Sequence, residues 1–149
     1  MRNVFNKDLR LSIGLGIIGG LLILSRILYT GEMRFLFLIW NLMLAFVPLF
    51  FSKVMEYYKN QSYSFWGLFV AWLLFFPNAP YILTDFYHLK FSSNHTFFID
   101  FALIGYFSFV GIYYGTLSIH YLLKHLQNKM SPAGSWGVII LSILLSGIG

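Results

Sequence analysis

Residues 11–29 are apolar for about the length that a helix needs to cross a bilayer, and further apolar runs occupy residues 35–52, 64–76 and 97–123. A chain built this way has few means of folding in water. It is 58% hydrophobic and only 10% charged, against about 25% charged residues in an average soluble domain, so it cannot cover its own surface with polar groups. The sequence therefore describes an integral membrane protein. Its formal charge of +5 does not point to nucleic acid, because the Lys and Arg residues are scattered at the ends of apolar runs, where they anchor helices to headgroups. No basic cluster with interleaved aromatics is present. The absence of cysteine excludes disulfides, thiolate chemistry and Cys-based metal centres.

The first run follows Arg2, Lys7, Asp8 and Arg10 and reads as a transmembrane helix rather than a signal peptide, since no small-x-small cleavage site follows it. Arg26 lies near its far end, where it is expected to snorkel. The second run holds Asn41 and Pro48, seven residues apart and so about 20° apart around a helix. An amide there is expected to face the bundle. Tyr57, Tyr58 and Tyr63 suit the headgroup layer of the polar loop that follows.

The third run is the irregular one. Residues 64–76 reach only about 20 Å, short of the roughly 30 Å hydrocarbon core, before Pro77 and Pro80 remove backbone donors and disfavour helix at the residues preceding them. The span is therefore expected to break at Pro77/Pro80, with the freed backbone groups answered by protein or a wet cavity. Thr84 is the expected N-cap of a short interfacial helix, with Asp85 in its first turn.

On the fourth run Asp100, Gly111, Gly115 and Ser118 fall within an arc of about 60°, widened to about 80° by Ser108. Gly111/Gly115 and, in the first run, Gly16/Gly20 are small-xxx-small surfaces through which a second copy could pack. The final stretch, from Ser135 onward, is about 22 Å long, so the chain reads as a single transmembrane domain over residues 1–149 that stops inside a fifth helix. The expected fold is all-α: a polytopic membrane bundle of about five spans.

Placing the N-terminus and the loops at 53–63 and 124–134 on one side gathers Arg2, Lys7, Arg10, Lys53, Lys59, Lys124 and Lys129 there, against Arg26, Arg34 and Lys90 opposite. Seven against three favours a cytoplasmic N-terminus and an outward-facing proline segment.

Trp40-Asn41-Leu42 with Pro48, Phe76-Pro77-Asn78-Ala79-Pro80-Tyr81-Ile82-Leu83-Thr84-Asp85, His88-Leu89, Asp100 and the stripe from Gly111 to Ser118 together carry a resemblance. On these residues the chain resembles the bacterial multi-pass membrane family catalogued as domain of unknown function 1361, from its second span to its end. The resemblance implies a bacterial cytoplasmic-membrane location. It also implies that Ser146-Gly147-Ile148-Gly149 is followed in the family by a Tyr, Gly, Arg and Trp-Asn-Ser-Trp-Asp stretch and more membrane helix. It implies no activity.

The polar residues near the proline segment define the candidate site: Asn41, Asn78, Thr84, Asp85, His88 and Asp100. Asp85 and His88 project from one helix face, and with Asp100 they form an O/N donor set suited to a divalent metal. The alternative is structural, with Asp85 as a cap, His88 at the headgroups and Asp100 bonding the broken backbone. Three functional classes stay open. One is a membrane protein whose outward polar pocket around Asn78, Asp85 and His88 binds a ligand or partner. Another is a metal-assisted hydrolase or transferase acting on a lipid or envelope substrate. The last is a component of a small-solute transporter. Membrane lipids are the expected partners, and no catalytic residue is identified.

Overall fold

The computed structural model describes the backbone of residues 2–58 and 61–146 and the side chains of 7–58, 61 and 63–144. The side chain of Arg2, Lys59 of the basic loop, and Gly147, Ile148 and Gly149 lie outside the described residues. Every regular element among them is helical. They are α1 (Arg2–Thr30), a 3-10 turn (Arg34–Leu36), α2 (Phe37–Val54), α3 (Ser62–Phe75), α4 (Asn78–Tyr81), a 3-10 segment (Ile82–Phe91), α5 (Phe97–Leu126) and α6 (Pro132–Ser146). Four stretches are long and apolar enough to cross a membrane: Lys7–Thr30, Arg34–Val54, Tyr63–Phe91 and Phe97–Leu126. The last helix, over Pro132–Leu144, is apolar but shorter.

The central pair is α2 and α5. Helix α5 also packs on α1, α4, the 3-10 segment and α6, while α2 also packs on α3 and α4. On α2 the buried positions Leu38, Leu42, Ala45, Pro48, Leu49 and Ser52 recur at helical spacing, so Pro48 sits in the core, on the same face. One buried cluster joins Leu38, Leu42, Ala79, Ile82, Ile104 and Phe107, and a second joins Met55, Phe65, Trp72, Phe76, Leu122 and Leu126. The first lies toward the end of the bundle where α1 finishes; the second lies at the opposite end. Helix α1 stops because Gly31 takes φ 71°, a left-handed angle natural to glycine, and its N–H closes on Ile27 O at 2.7 Å.

Helix α1 is held largely by hydroxyl groups. Tyr106, Tyr114 and Tyr121 of α5 donate in turn to Leu15 O at 2.7 Å, Ser12 O at 2.6 Å and the Asp8 carboxylate at 2.5 Å, an antiparallel ladder up the seam. Gly16 and Gly19 leave room for the rings: a Cβ at Gly19 would stand 3.1 Å from Phe107 Cζ. Apolar surface gives helices no reason to associate in hydrocarbon, so close approach and interhelical hydrogen bonds must do so.

The third span is interrupted at the prolines as expected, α3 ending at Phe75 with short helical segments following, but the interruption is mild. Phe76 has φ −56° and ψ −37°, Pro77 has −56° and −26°, and Ile82 has −58° and −20°, so the backbone remains right-handed helical through both prolines. Proline fixes φ near −65°, an angle that helices share, so what fails is only the donor. The chain adapts by tightening. Ala79 N bonds Phe76 O at 3.0 Å, three residues back, and beyond Tyr81 the pattern is 3-10 for ten residues, an unusual length. Thr84 is accordingly not an N-cap: it lies inside that segment and donates to Tyr81 O at 2.7 Å.

Neighbouring side chains answer the freed carbonyls. Asn78 Nδ2 donates to Phe75 O at 2.9 Å, the carbonyl that Ala79 N leaves for Phe76 O, and Ser108 Oγ of α5 adds a bond to Ile82 O at 3.2 Å inside the 3-10 segment. Asp100, expected to bond this backbone, bonds elsewhere. The Gly111/Gly115 surface receives the tightened segment rather than standing free for a second copy. A Cβ at Gly111 would lie 2.6 Å from Ile82 Cγ2, and one at Gly115 would lie 2.9 Å from Ala79 Cβ.

Gly115→Leu is therefore expected to lose about 1–3 kcal/mol of stability through overpacking. Gly20→Leu, at a position with nothing within 4 Å of a Cβ, should stay within about 0.5 kcal/mol of the parent. Unfolding of the purified protein by SDS in mixed micelles, followed by far-UV circular dichroism, measures both.

Candidate functional site

Ten residues of 3-10 helix place every third side chain in register, so Ile82, Asp85, His88 and Phe91 share one face. That face meets α2. Asn41 Nδ2 donates to both oxygens of Asp85, at 3.1 and 2.9 Å, and His88 lies on Phe37 with ring centroids 4.6 Å apart. The pairing runs antiparallel, three residues on one side against four on the other. Three residues of 3-10 helix and four of α-helix both rise about 6 Å, so the two elements stay in step. Asp85 is 3% exposed. Its carboxylate is consumed by an amide.

Asp100 belongs to a separate cluster where α1 ends. It is fully buried; Oδ1 accepts from Arg26 Nε at 3.0 Å and Oδ2 from Thr96 Oγ1 at 3.1 Å. The Arg26 guanidinium also donates to Thr30 Oγ1 and Glu32 O, each at 3.0 Å, and to the Glu32 carboxylate at 3.2 Å. Its plane lies over Phe35, 4.7 Å from the ring centroid. Arg26 thus does not snorkel: it is 3% exposed and spends its donors inside the protein. Beside it Arg34 pairs with Glu32 at 3.6 Å and donates to Phe91 O, the end of the 3-10 segment.

The six expected site residues are thus divided. The structure brings Asn41 and Asp85 together, sets His88 one 3-10 turn along, binds Asp100 to α1, and gives Asn78 and Thr84 backbone carbonyls as partners. Among the described residues, no three His, Asp or Glu side chains gather as metal ligands. The donor set Asp85, His88 and Asp100 fails because each carboxylate already holds a protein donor, an amide for one and a guanidinium for the other. Nor does Asp85 or His88 line any of four surface cavities.

A polar recess does open at this end of the bundle. It is about 530 Å³ in volume and is lined by Tyr29, Thr30, Glu32, Arg34, Phe91, Ser92, Ser93 and Thr96. Arg34 and Glu32 reach it with side chains 38% and 50% exposed. Ser92 Oγ on its wall is buried with no hydrogen-bond partner among the described residues. Sequence reasoning left these residues out. The available signal was Arg26, an arginine inside an apolar run that needed a carboxylate, with Thr96 one helical turn before Asp100.

At the far end Lys53 is buried with its ammonium 4.6 Å from the centroid of Tyr121, and His125 Nε2 lies 3.2 Å from Ser52 O. These contacts tie α2 to α5.

Replacing Asp100 by Leu leaves Arg26 with Glu32 and Thr30 but removes the acceptor of its buried Nε, and should cost about 1.5–3 kcal/mol, part of it recovered in Arg26→Leu/Asp100→Leu. For Asn41 and Asp85, the double replacement by Leu should cost less than the two single losses summed, by about 0.5–3 kcal/mol. Additive losses in SDS unfolding would show that neither pair is coupled.

The description "Protein of unknown function (DUF1361)" belongs to a family whose model matches residues 40–149, which include α3 to α6, the proline segment and nearly all of α2. No curated protein and no solved structure matches the chain. With the match covering Asn41, Asp85, His88 and Asp100 alike, this membrane protein belongs to the DUF1361 family.

Proposed function

We propose that the chain is a multi-pass protein of the bacterial cytoplasmic membrane that binds a charged, headgroup-sized ligand in the recess between Arg34 and Ser93. The observation that carries this reading is the recess itself. It is a cavity of about 530 Å³ that presents a guanidinium, a carboxylate and several hydroxyls, one of them, on Ser92, without a partner. Elsewhere in the bundle, polar side chains bond across helices, as Asn41 and Asp85 do, or to carbonyls of their own helix, as Ser118 and Ser142 do.

The Asn78-Ala79-Pro80 to His88 motif serves this site indirectly. It fixes the 3-10 segment against α2 and α5, and that segment ends at Phe91, on the recess wall. A pocket around the motif becomes a recess at its end. The excess of Lys and Arg on the N-terminal side supports a cytoplasmic N-terminus, which turns the recess outward.

Isothermal titration of the full chain in a non-ionic detergent with glycerophosphoethanolamine and glycerol phosphate tests the reading. Saturable binding of at least one is expected, weakened about tenfold or more in Arg34→Gln and reduced by raising salt, because the recess is open to solvent. Absence of saturable binding to the parent protein, or equal binding to Arg34→Gln, would overturn it.

A further inference from the structure

A second cavity lies in the seam between α1 and α5, about 510 Å³ in volume and lined by Leu22, Ser25, Arg26, Phe98, Ile99, Ala102, Leu103 and Tyr106, most of them apolar. Leu22 in the seam and Tyr29 in the recess are seven residues apart on α1 and so lie within about 20° on one helix face, while on the facing wall Thr96, the residue before α5, stands seven residues ahead of Leu103. The two cavities, which share no lining residue, therefore stand in line along one α1–α5 furrow, and the buried Arg26–Asp100 pair bridges the helices between them.

The dimensions of the furrow fit one leaflet. From Phe97 to Tyr106 is ten residues of α5, about 15 Å, which is half the roughly 30 Å hydrocarbon core. Its polar end carries one exposed cation, Arg34, and one exposed anion, Glu32. That pair complements a zwitterion, with phosphate against the guanidinium and serine hydroxyls, and ammonium against the carboxylate. A primary ammonium has N–H groups to donate to Glu32; a trimethylammonium has none. An anionic glycerol headgroup offers Glu32 no ammonium beyond the guanidiniums of Arg26 and Arg34 that it already holds.

We propose that the furrow binds a phosphoethanolamine phospholipid, its headgroup in the recess and an acyl chain along the α1–α5 seam. This rests on the reading of the recess as a ligand site and names the ligand class. Ala102 is exposed on the seam wall and holds no polar contact, so Ala102→Trp fills the seam without touching the recess.

Native mass spectrometry of the full chain, against an equal mixture of phosphatidylethanolamine, phosphatidylglycerol and phosphatidylcholine with matched acyl chains, tests the proposal. The parent protein is expected to retain phosphatidylethanolamine at least fivefold over the other two. Ala102→Trp should lose that retention at least fivefold while binding soluble glycerophosphoethanolamine as the parent does, and Arg34→Gln should lose both. Leu22→Phe, on the opposite wall, replaces Ala102→Trp if circular dichroism shows that variant unfolded. Equal retention of the three lipids, or undiminished retention in the seam variant, overturns the lipid proposal while soluble headgroup binding leaves the recess reading standing. Failure of the parent to bind either soluble headgroup or lipid removes both.

Discussion

In hydrocarbon a backbone carbonyl that loses its helical donor has no water to accept from, and each one left bare costs several kcal/mol. The arrangement around the third span follows from that constraint. Two prolines remove two donors, and the chain responds by drawing its turns tighter, with the Asn78 side chain taking up Phe75 O and Ser108 of α5 bracing the tightened segment at Ile82 O. The tightening in turn requires α5 to be smooth where the segment lies against it, which is why glycines stand at 111 and 115. A small-residue stripe that resembles an oligomer surface thus acts inside one chain.

The charged groups obey the same constraint. Arg26, Asp100 and Asp85 are all buried, and each finds its partner on a different helix. A buried pair of this kind gains little over an apolar one, because desolvation offsets most of the attraction, but breaking it is costly. The pairs therefore fix which helices are neighbours. Arg26 with Asp100 joins α1 to α5, and Asn41 with Asp85 joins α2 to the 3-10 segment. The recess differs in that its charged pair, Arg34 and Glu32, is partly exposed and its wall carries the unpartnered Ser92 hydroxyl.

Much of the architecture was readable from residue patterns. Apolar run lengths locate four spans, and the arc of Asp100, Gly111, Gly115 and Ser118 marks the buried face of α5, where all four are inaccessible. What could not be read was pairing. Spacing along a chain shows that Asp85 and His88 share a face, but their neighbours, Asn41 and Phe37, lie some forty-four and fifty-one residues earlier, and nothing local joins them. Arg26 illustrates the same gap. An arginine near a helix end snorkels when water is within reach, and only the three-dimensional placement of Asp100 and Glu32 gives it a better alternative. At the proline segment both properties of the ring act: the missing donors end α3 at Phe75, while the fixed φ keeps the backbone right-handed beyond it.

The matched rise of the 3-10 segment and α2 works as a vernier. Two scales with different divisions coincide only at fixed marks, here Asp85 at Asn41 and His88 at Phe37. Slipping one scale by a single residue would turn the segment by about 120° and miss every mark at once. A chain that must thread an irregular stretch through lipid thereby acquires a ruler for its own register, and the two residues between the acid and the imidazole are its unit of length.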